Sequence, residues 1–180
     1  LVTCYTFGNH TGFCGVELCK TDPQMNQTFN IRVYGILINE KKQMLVSDEY
    51  IRGKFYSKFP GGGLEPGEGT RDCLQREFME EMDLKVKVCG HIYTTDFYQQ
   101  SAFNLAQQII SIYYFVEPLE AITAPLRTKV FDFDAQQMKM YEQTGETETF
   151  RFVNWKDVDE ATVTLPIDKI VISLLKETIK

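Results

Sequence analysis

The sequence predicts an α/β sandwich, in which a mixed β-sheet lies between helices that cover both of its faces. Two patterns predict this class. Short runs rich in β-branched and aromatic residues recur along the chain, and two segments show helical apolar periodicity. One of these helices lies in the middle of the chain and the other at its end. A length of 180 residues suits a single globular domain.

The predicted strands are separated by polar turns and by one strong break. Residues 31–38 are almost entirely apolar and predict a buried strand, and residues 43–47 predict the strand that returns beside it. Pro60 and the three glycines after it predict a break in regular structure. Residues 117–148 mix Pro, Gly and charge, which predicts mostly loop with a short strand near Phe131. The other predicted strands are 55–59, 86–94, 108–116 and 149–155.

Two helices are predicted from apolar spacing. The first begins at Thr70, a suitable N-cap, and Leu74, Phe78 and Met82 recur every four residues on one face. The closing helix begins near Pro166, because proline suits the first turn of a helix. Its predicted apolar stripe consists of Ile167, Ile170, Val171, Leu174, Leu175 and Ile179.

The net charge of −6 is concentrated in one stretch of the chain. Residues 60–84 contain seven acidic and two basic side chains, which gives this segment a charge of −5. An acidic balance argues against a non-specific nucleic-acid binder, which needs a basic surface. The longest apolar stretch, residues 109–116, is too short to span a bilayer, so no membrane-embedded class is expected.

The cysteine pattern predicts a reducing, cytoplasmic environment. There are five cysteines, an odd number, and the first residues do not resemble a secretory signal. A small zinc site near the amino terminus is an alternative, but the spacing lacks close Cys-x-x-Cys pairs. We therefore expect residues 1–24 to be an appended, poorly ordered leader and residues 25–180 to form the working domain. The residues of the zinc alternative are Cys4, His10, Cys14 and Cys19.

Three glutamates of the first helix need a physical explanation. Glu77, Glu80 and Glu81 share one face, where like charges at i,i+3 and i,i+4 spacing destabilise a helix. They form either a solvated face or a set of oxygen ligands for a hard dication such as Mg²⁺. The preceding Gly61–Gly63 favours the second explanation, since glycines let the backbone approach an ion or a phosphate closely.

These features together resemble the signature box of the Nudix hydrolases. Gly62 is followed after five residues by Glu68, and after seven more by an Arg-Glu-Phe-Met-Glu-Glu run that starts at Arg76. The match extends to Leu84 and has one departure, Asp83 in place of the family glycine. Asp tolerates the left-handed conformation expected there better than most residues do. The resemblance implies a Nudix-like α/β/α sandwich.

The resemblance also implies an activity and a set of site residues. Nudix hydrolases cleave the pyrophosphate of a nucleoside diphosphate linked to another moiety, and Mg²⁺ or Mn²⁺ is the expected cofactor. The implied metal ligands are Glu77, Glu80, Glu81 and a main-chain carbonyl near Gly62. Arg76 belongs to the implied catalytic set because it keeps these glutamates in position. Glu68 is implied to have a supporting role.

The general base is the least determined part of this site. A carboxylate must accept the proton of the attacking water, and in the family it comes from the box or from a later loop. Glu81 is the first choice. Weaker candidates, each more easily explained as part of an exposed polar loop, are Glu142, Glu146 and Glu148.

The sequence says less about the substrate. Arg52 and Lys58 could meet terminal phosphates, and Tyr98 could stack on a base or sugar. The expected partner is a nucleotide-type small molecule, with neither a membrane nor a nucleic acid, and a homodimer is left open. Two alternatives remain: a non-catalytic Nudix-like domain that binds a nucleotide-derived ligand, and a Nudix-fold isomerase. The isomerase needs extra metal-binding histidines, and the chain has only His10 and His91.

Overall fold

A computed structural model describes residues 28–179 of the chain. The expected leader and the alternative zinc site at Cys4, His10, Cys14 and Cys19 lie outside the described residues. The boundary between residues 24 and 25 therefore stays a prediction. None of the helices in the described range is long and apolar enough to cross a lipid bilayer.

Within this range the chain forms eight strands and three α-helices. Their order follows the prediction closely, with two additions, the glycine strand and a helix before the last strand. The strands are β1 (Thr28–Ile36), β2 (Gln43–Ile51), β3 (Lys54–Lys58), β4 (Gly61–Gly63), β5 (Val86–Thr94), β6 (Gln107–Pro118), β7 (Leu126–Arg127) and β8 (Glu146–Asn154). The helices are α1 (Thr70–Met82), α2 (Ala135–Thr144) and α3 (Pro166–Thr178).

The strands form two mixed sheets of four strands each. One has the order β4-β1-β6-β5 and the other the order β3-β2-β8-β7. The β1–β6 and β7–β8 pairs are parallel, and the remaining pairs are antiparallel. Where the chain passes from β1 to β2 the sheets stay in contact, because the Leu45 amide donates to the Leu37 carbonyl at 2.9 Å. The glycines predicted as a break instead form the short strand β4, which pairs with β1.

Helices α1 and α3 lie on opposite faces of these strands. Alternate residues of β1 enter two separate apolar clusters: Val33 packs with α1, whereas Tyr34 and Ile36 pack with α3. Leu45 of β2 joins the α1 cluster, and its neighbour Val46 joins the α3 cluster. This alternation is the period of two expected for strands buried on both faces. The predicted α/β sandwich with helices on both faces is confirmed.

Helix α1 has the predicted bounds, but its caps differ in one detail. Gly69 rather than Thr70 is the N-cap, and the Gly69 amide donates to the Asp72 carboxylate at 3.2 Å. Thr70 is the first helical residue, and its hydroxyl hydrogen-bonds the Tyr114 hydroxyl. The helix ends as expected at Asp83, which adopts the left-handed conformation with φ 49° and ψ 45°.

The expected loop over residues 117–148 is wrong in part, because it contains helix α2. This helix has no buried residue, so it lacks the apolar stripe that indicates most helices. Its caps are nevertheless visible in the sequence: the Asp134 carboxylate accepts from the Gln137 amide, and Gly145 ends the helix in a left-handed conformation. The short strand is β7, several residues before Phe131, which itself lies outside any strand.

The predicted apolar stripe of α3 is wider than the face that is buried. Ile167, Val171 and Leu175 are buried as expected, but Ile170 and Leu174 are more than a third exposed. Ile172, outside the predicted stripe, is buried in their place. The sequence places apolar residues around most of this helix, and only packing against the strands selects the face that is buried.

Replacing Asp83 by glycine tests the strain at the end of α1. We expect Asp83→Gly to raise the free energy of unfolding by about 0.5–1 kcal/mol, because glycine has no Cβ to clash in the left-handed conformation. Urea unfolding measures the change. Asp83→Ala is the control and should be no more stable than the original chain. A less stable glycine variant would contradict this explanation of the cap.

Candidate active site

A cavity of about 550 Å³ lies between the strands and is open to solvent. Strand β4 and helix α1 line one side, and α1 contributes Glu77 and Glu81. The start of β8 and the first turn of α3 line other parts of the wall, so the cavity collects side chains from both faces of the fold. Residues 99–103 lie at its edge.

Arg76 binds three of the predicted glutamates at once. Its guanidinium donates to Glu68 at 2.8 Å and to both Glu77 and Glu80 at 3.0 Å. The same group donates to the Gly63 carbonyl at 3.0 Å, which ties α1 to the glycine strand. Arginine suits this position because its planar guanidinium carries five donors in a fixed arrangement. The predicted positioning role of Arg76 rests on these contacts.

Glu68 has a strongly perturbed acidity. The hydrogen bond from Arg76, aided by the Glu65 backbone N–H, lowers the pKa of Glu68 to about 2. Glu68 is in turn hydrogen-bonded to the loop that leads into α1, since it accepts from the Glu65 amide at 2.8 Å. The side chain is therefore part of the structure that positions the helix. This placement suits the supporting role implied by the sequence.

Gly62 allows the close approach of strand β4 to Glu77. A Cβ atom at Gly62 would lie 2.4 Å from the Glu77 carboxylate, far inside contact distance. The carbonyls on either side are already used: that of Gly61 accepts from Lys58, and that of Gly63 accepts from Arg76. The backbone at Gly62 is consequently the part of the strand that lies directly against a box carboxylate.

Glu81 is the carboxylate least satisfied by protein partners. Its Oε2 atom is buried and has no hydrogen-bond partner among the described residues. Burial, and after it the nearby charge of Glu148, raise the pKa of Glu81 well above its ordinary value. A buried carboxylate oxygen without a donor is costly, and such a site is a candidate for an unseen ligand or for catalysis.

The alternative bases occupy three different environments. Glu142 is exposed on α2 and does not line the cavity. Glu146 lines the cavity but is exposed. Glu148 lines the cavity, accepts from the Ser47 hydroxyl at 3.3 Å, and burial raises its pKa to about 7. The structure therefore brings Glu148 next to Glu81 and keeps Glu142 apart.

The predicted substrate residues are also dispersed. Lys58 lines the cavity but is buried, with its ammonium 2.7 Å from Glu49 and 3.0 Å from the Gly61 carbonyl. Burial by itself would lower the pKa of Lys58, yet the charge of Glu49 raises it above its ordinary value. Arg52 is exposed at the rim, and Tyr98 is 60% exposed and does not line the cavity. All three substrate roles stay predictions.

Three charged residues of the cavity were missed by sequence reasoning. Arg32 and Glu49 come from β1 and β2, and Asp168 comes from the first turn of α3. Each interrupts or adjoins an apolar run, which is the signal that could have identified them. A charge within a buried strand is unusual and indicates either an ion pair or a site.

The donor set fits a hard cation, although the described residues contain no preassembled cluster of three such ligands. Arg76 bonds one carboxylate oxygen each of Glu77 and Glu80, and Oε2 of Glu81 has no hydrogen-bond donor in the described part of the chain. The carboxylate oxygens that Arg76 does not bond are hard ligands, the kind that Mg²⁺ and Mn²⁺ prefer. The close approach of Gly62 to the Glu77 carboxylate brings the backbone of β4 beside the same group of carboxylates.

Comparison with known proteins supports the resemblance found in the sequence. The family model described as NUDIX domain matches residues 28–174, which is most of the chain. A sequence search of curated proteins returned no significant match.

Three solved structures illustrate the likeness of fold. The E. coli ORF135 protein is 14% identical over 87% of this chain and 94% of its own, with a TM-score of 0.60. A NUDIX hydrolase from Nitrosomonas europaea is 17% identical over 84% and 90%, with a TM-score of 0.60. The MutT protein from Methanosarcina mazei Go1 is 18% identical over 86% and 98%, with a TM-score of 0.59. At these identities the likeness shows the fold alone.

The pairing of Glu68 with Arg76 makes stability depend on pH. The folded-state pKa of Glu68, about 2, lies below its ordinary value of 4.5. The contribution of the pair to the free energy of unfolding is therefore complete above pH 4.5 and is lost as pH falls towards 2. We expect Glu68→Gln to be less stable than the original chain at pH 7, with a difference that shrinks over this window. Thermal unfolding at several pH values measures it. Glu65→Gln is the control, and a difference independent of pH would contradict the explanation.

Proposed function

Since the chain belongs to the Nudix family of hydrolases, we propose that it hydrolyses the pyrophosphate bond of a nucleoside diphosphate linked to another moiety. One observation carries the proposal: Arg76 keeps Glu77 beside the glycine strand, at the wall of a cavity that Glu81 also lines and that can accept a nucleotide-sized ligand. A structural neighbour named as a UDP-X diphosphatase, 17% identical with a TM-score of 0.55, is in line with this substrate class.

We propose Mg²⁺ or Mn²⁺ as the cofactor, with Glu77, Glu80, Glu81 and the backbone at Gly62 as the residues that hold it. When bound, such a cation would offset the charge of the pyrophosphate oxygens and make a water molecule more acidic. The box region carries a charge of −5 through seven acids and two bases, so it would repel an unaccompanied pyrophosphate.

The protein residues then have separate roles. Arg76 is a positioning residue, because its donors are engaged by Glu68, Glu77 and Glu80 rather than by the open cavity. Glu81 accepts the proton of the attacking water, since it lines the cavity and its buried Oε2 has no hydrogen-bond partner among the described residues. Glu148 is the second candidate for this role because it lies close enough to perturb Glu81.

Arg32 is our candidate for a phosphate contact in addition to the predicted Arg52 and Lys58. It lines the cavity, and its Nε atom donates to the Tyr34 hydroxyl at 2.7 Å, so that among the described residues the two terminal nitrogens stay available for a ligand. Lys58, in contrast, is paired with Glu49. A planar guanidinium can bind a phosphate through two parallel hydrogen bonds.

The alternatives have less support. A Nudix-fold isomerase needs metal-binding histidines, but His91 bonds Thr94 on β5 and does not line the cavity. A non-catalytic domain would have no need for the Arg76 arrangement or for the unpaired oxygen of Glu81. A cytoplasmic location and a homodimer stay predictions. The free thiols of Cys73 and Cys89 are in line with the first.

Replacing Glu81 tests the reaction itself. We expect Glu81→Gln to remain folded and to lose about 10²–10⁴-fold in rate, the usual contribution of a general base. The assay measures phosphate or nucleotide release from ADP-ribose, UDP-sugars, dinucleoside polyphosphates and nucleoside triphosphates, with Mg²⁺ or Mn²⁺. Glu142→Gln, outside the cavity, is the matched control and should retain full activity.

Two results would contradict this assignment. Hydrolysis by Glu81→Gln at the original rate would remove Glu81 as the base and favour Glu148. If Glu77→Gln and Glu80→Gln were also harmless, or if the original chain released nothing from any compound, the enzyme proposal would fail. The non-catalytic binding domain would then be the better explanation.

Replacing Gly62 tests the cation site separately. A methyl group at Gly62 would collide with the Glu77 carboxylate at 2.4 Å, so Gly62→Ala should displace Glu77 and lower Mn²⁺ affinity by about tenfold or more. Titration calorimetry with Mn²⁺ alone measures this. Gly63→Ala is the matched control, because its Cβ would meet nothing within 4 Å, and its Mn²⁺ affinity should be unchanged. Equal affinities in both variants would overturn this site.

A further inference from the structure

Lys58 is a buried lysine that joins the two sheets of the fold. It is 4% exposed and ends β3, which belongs to the same sheet as β2. Its ammonium lies 2.7 Å from the Glu49 carboxylate on β2 and donates at 3.0 Å to the Gly61 carbonyl on β4, in the other sheet. The sequence predicts a phosphate contact for Lys58, but two of its three donors are engaged by protein oxygens.

Strand β4 has few other means of fixing its position. It lies at the edge of its sheet, and among the described strands it pairs with β1 alone. It consists of three glycines, so it has no side chain that could pack against a neighbour. Glycine also has more backbone freedom to lose on folding than any other residue. The contacts made by its carbonyls are therefore important for keeping this strand in place.

Two cationic side chains bond the carbonyls at the ends of β4. Lys58 donates to the Gly61 carbonyl and Arg76 donates to the Gly63 carbonyl, each at 3.0 Å. Gly62 lies between them, where a Cβ atom would be 2.4 Å from a box carboxylate. Fixing both ends of a three-residue strand limits the movement of the residue in its middle. Arg76 acts from the box helix, and Lys58 acts from the opposite sheet.

An ion pair with Glu49 does not by itself explain why Lys58 is buried. Lys87 and Glu117 form a pair on neighbouring strands at 3.0 Å while both side chains stay more than 60% exposed. Removing an ammonium from water is costly unless its donors are engaged. The contact that Lys58 gains from its buried position, and that an exposed pair lacks, is the one with the Gly61 carbonyl.

We propose that Lys58 is a positioning residue, whose ammonium fixes the Gly61 carbonyl and thereby holds the backbone at Gly62 in the geometry of the cation site. The proposal rests on the proposed function, because it assigns a second residue, beside Arg76, that keeps the same site in order. A glycine strand bonded at one end only can shift relative to the box helix. Loss of the Lys58 contact should therefore weaken cation binding through the backbone.

The test removes the contact without changing the net charge of the site. The double variant Lys58→Met/Glu49→Gln deletes one positive and one negative charge, so neither partner is left as an unpaired buried ion. We expect its affinity for Mn²⁺ to fall about tenfold or more, the usual effect of losing a residue that orients metal ligands. Titration calorimetry with Mn²⁺ alone measures the affinity, and thermal unfolding verifies that the variant is folded.

Hydrogen exchange in the absence of Mn²⁺ shows whether β4 itself is loosened. The Gly35 amide donates to the Pro60 carbonyl and the Leu64 amide to the Ile31 carbonyl, each at 2.9 Å, so these two bonds flank β4. We expect both amides to exchange about threefold or more faster in the double variant, because opening of this edge becomes easier. The Leu45 amide, which is bonded elsewhere between β1 and β2, should exchange at its original rate.

Lys58→Arg is a second variant, which keeps a buried cation with donors for Glu49 and Gly61. It should retain most of the Mn²⁺ affinity and the original amide exchange, and it keeps the test decisive if the double variant does not fold. In every folded variant, Mn²⁺ affinity and exchange at β4 should change together. An affinity that falls while the exchange of the flanking amides is unchanged would overturn the proposal.

The matched control removes the exposed ion pair outside the cavity. Lys87→Met/Glu117→Gln should bind Mn²⁺ as the original chain does. Unchanged Mn²⁺ affinity in Lys58→Met/Glu49→Gln also contradicts the positioning role. If that variant instead binds inorganic pyrophosphate more weakly in the presence of Mn²⁺, at unchanged Mn²⁺ affinity, Lys58 is a phosphate contact and the proposal fails.

Mn²⁺ binding and amide exchange need no turnover, so this result is independent of the proposed reaction. If the original chain hydrolyses no pyrophosphate but the double variant loses Mn²⁺ affinity and exchanges faster at β4, the proposed reaction fails and the positioning role stands. If hydrolysis is observed and Mn²⁺ affinity is the same in both proteins, only the role of Lys58 fails. If the original chain binds no Mn²⁺, the cation site fails and this role fails with it.

Discussion

The bonding of one guanidinium to three carboxylates is the interaction on which the candidate site depends. Glu77 and Glu80 lie one turn apart on α1 and repel each other, which local helix energetics cannot offset. Arg76 bonds both, together with Glu68 from the preceding loop and the Gly63 carbonyl of β4. The loop, the strand and the helix are thereby kept in one arrangement.

The cavity beside this cluster has walls from two opposite faces of the fold, and the polar groups of the two walls differ. On the box side, acidic groups are concentrated, and a buried oxygen of Glu81 has no donor within the part of the chain that the structure describes. On the side of α3, Oδ2 of Asp168 is a second buried oxygen that has no hydrogen-bond partner among the described residues. The two walls therefore present different chemistry to a ligand, and phosphate suits the first side when cations are present.

Much of the fold could be predicted because most elements pack an apolar face against the core. Helix α1 and the six longer strands have this pattern, and their predicted and observed bounds agree within a few residues. Helix α2 was missed because none of its residues is buried, so only the caps at Asp134 and Gly145 indicated it. Ile170 and Leu174 were misplaced because α3 is apolar around most of its surface, and packing alone decides which side is covered.

The sequence by itself determined the family and the box residues, because the box is a set of fixed spacings between Gly62 and Leu84. Such spacings can be recognised without knowing the fold. It could not determine which other charges join them. Arg32, Glu49 and Asp168 are distant from the box in sequence, and they reach the cavity only because two sheets and two helices converge there. Burial, which depends on the whole fold, also decided that Lys58 is paired with Glu49 and that one oxygen of Asp168 has no donor among residues 28–179.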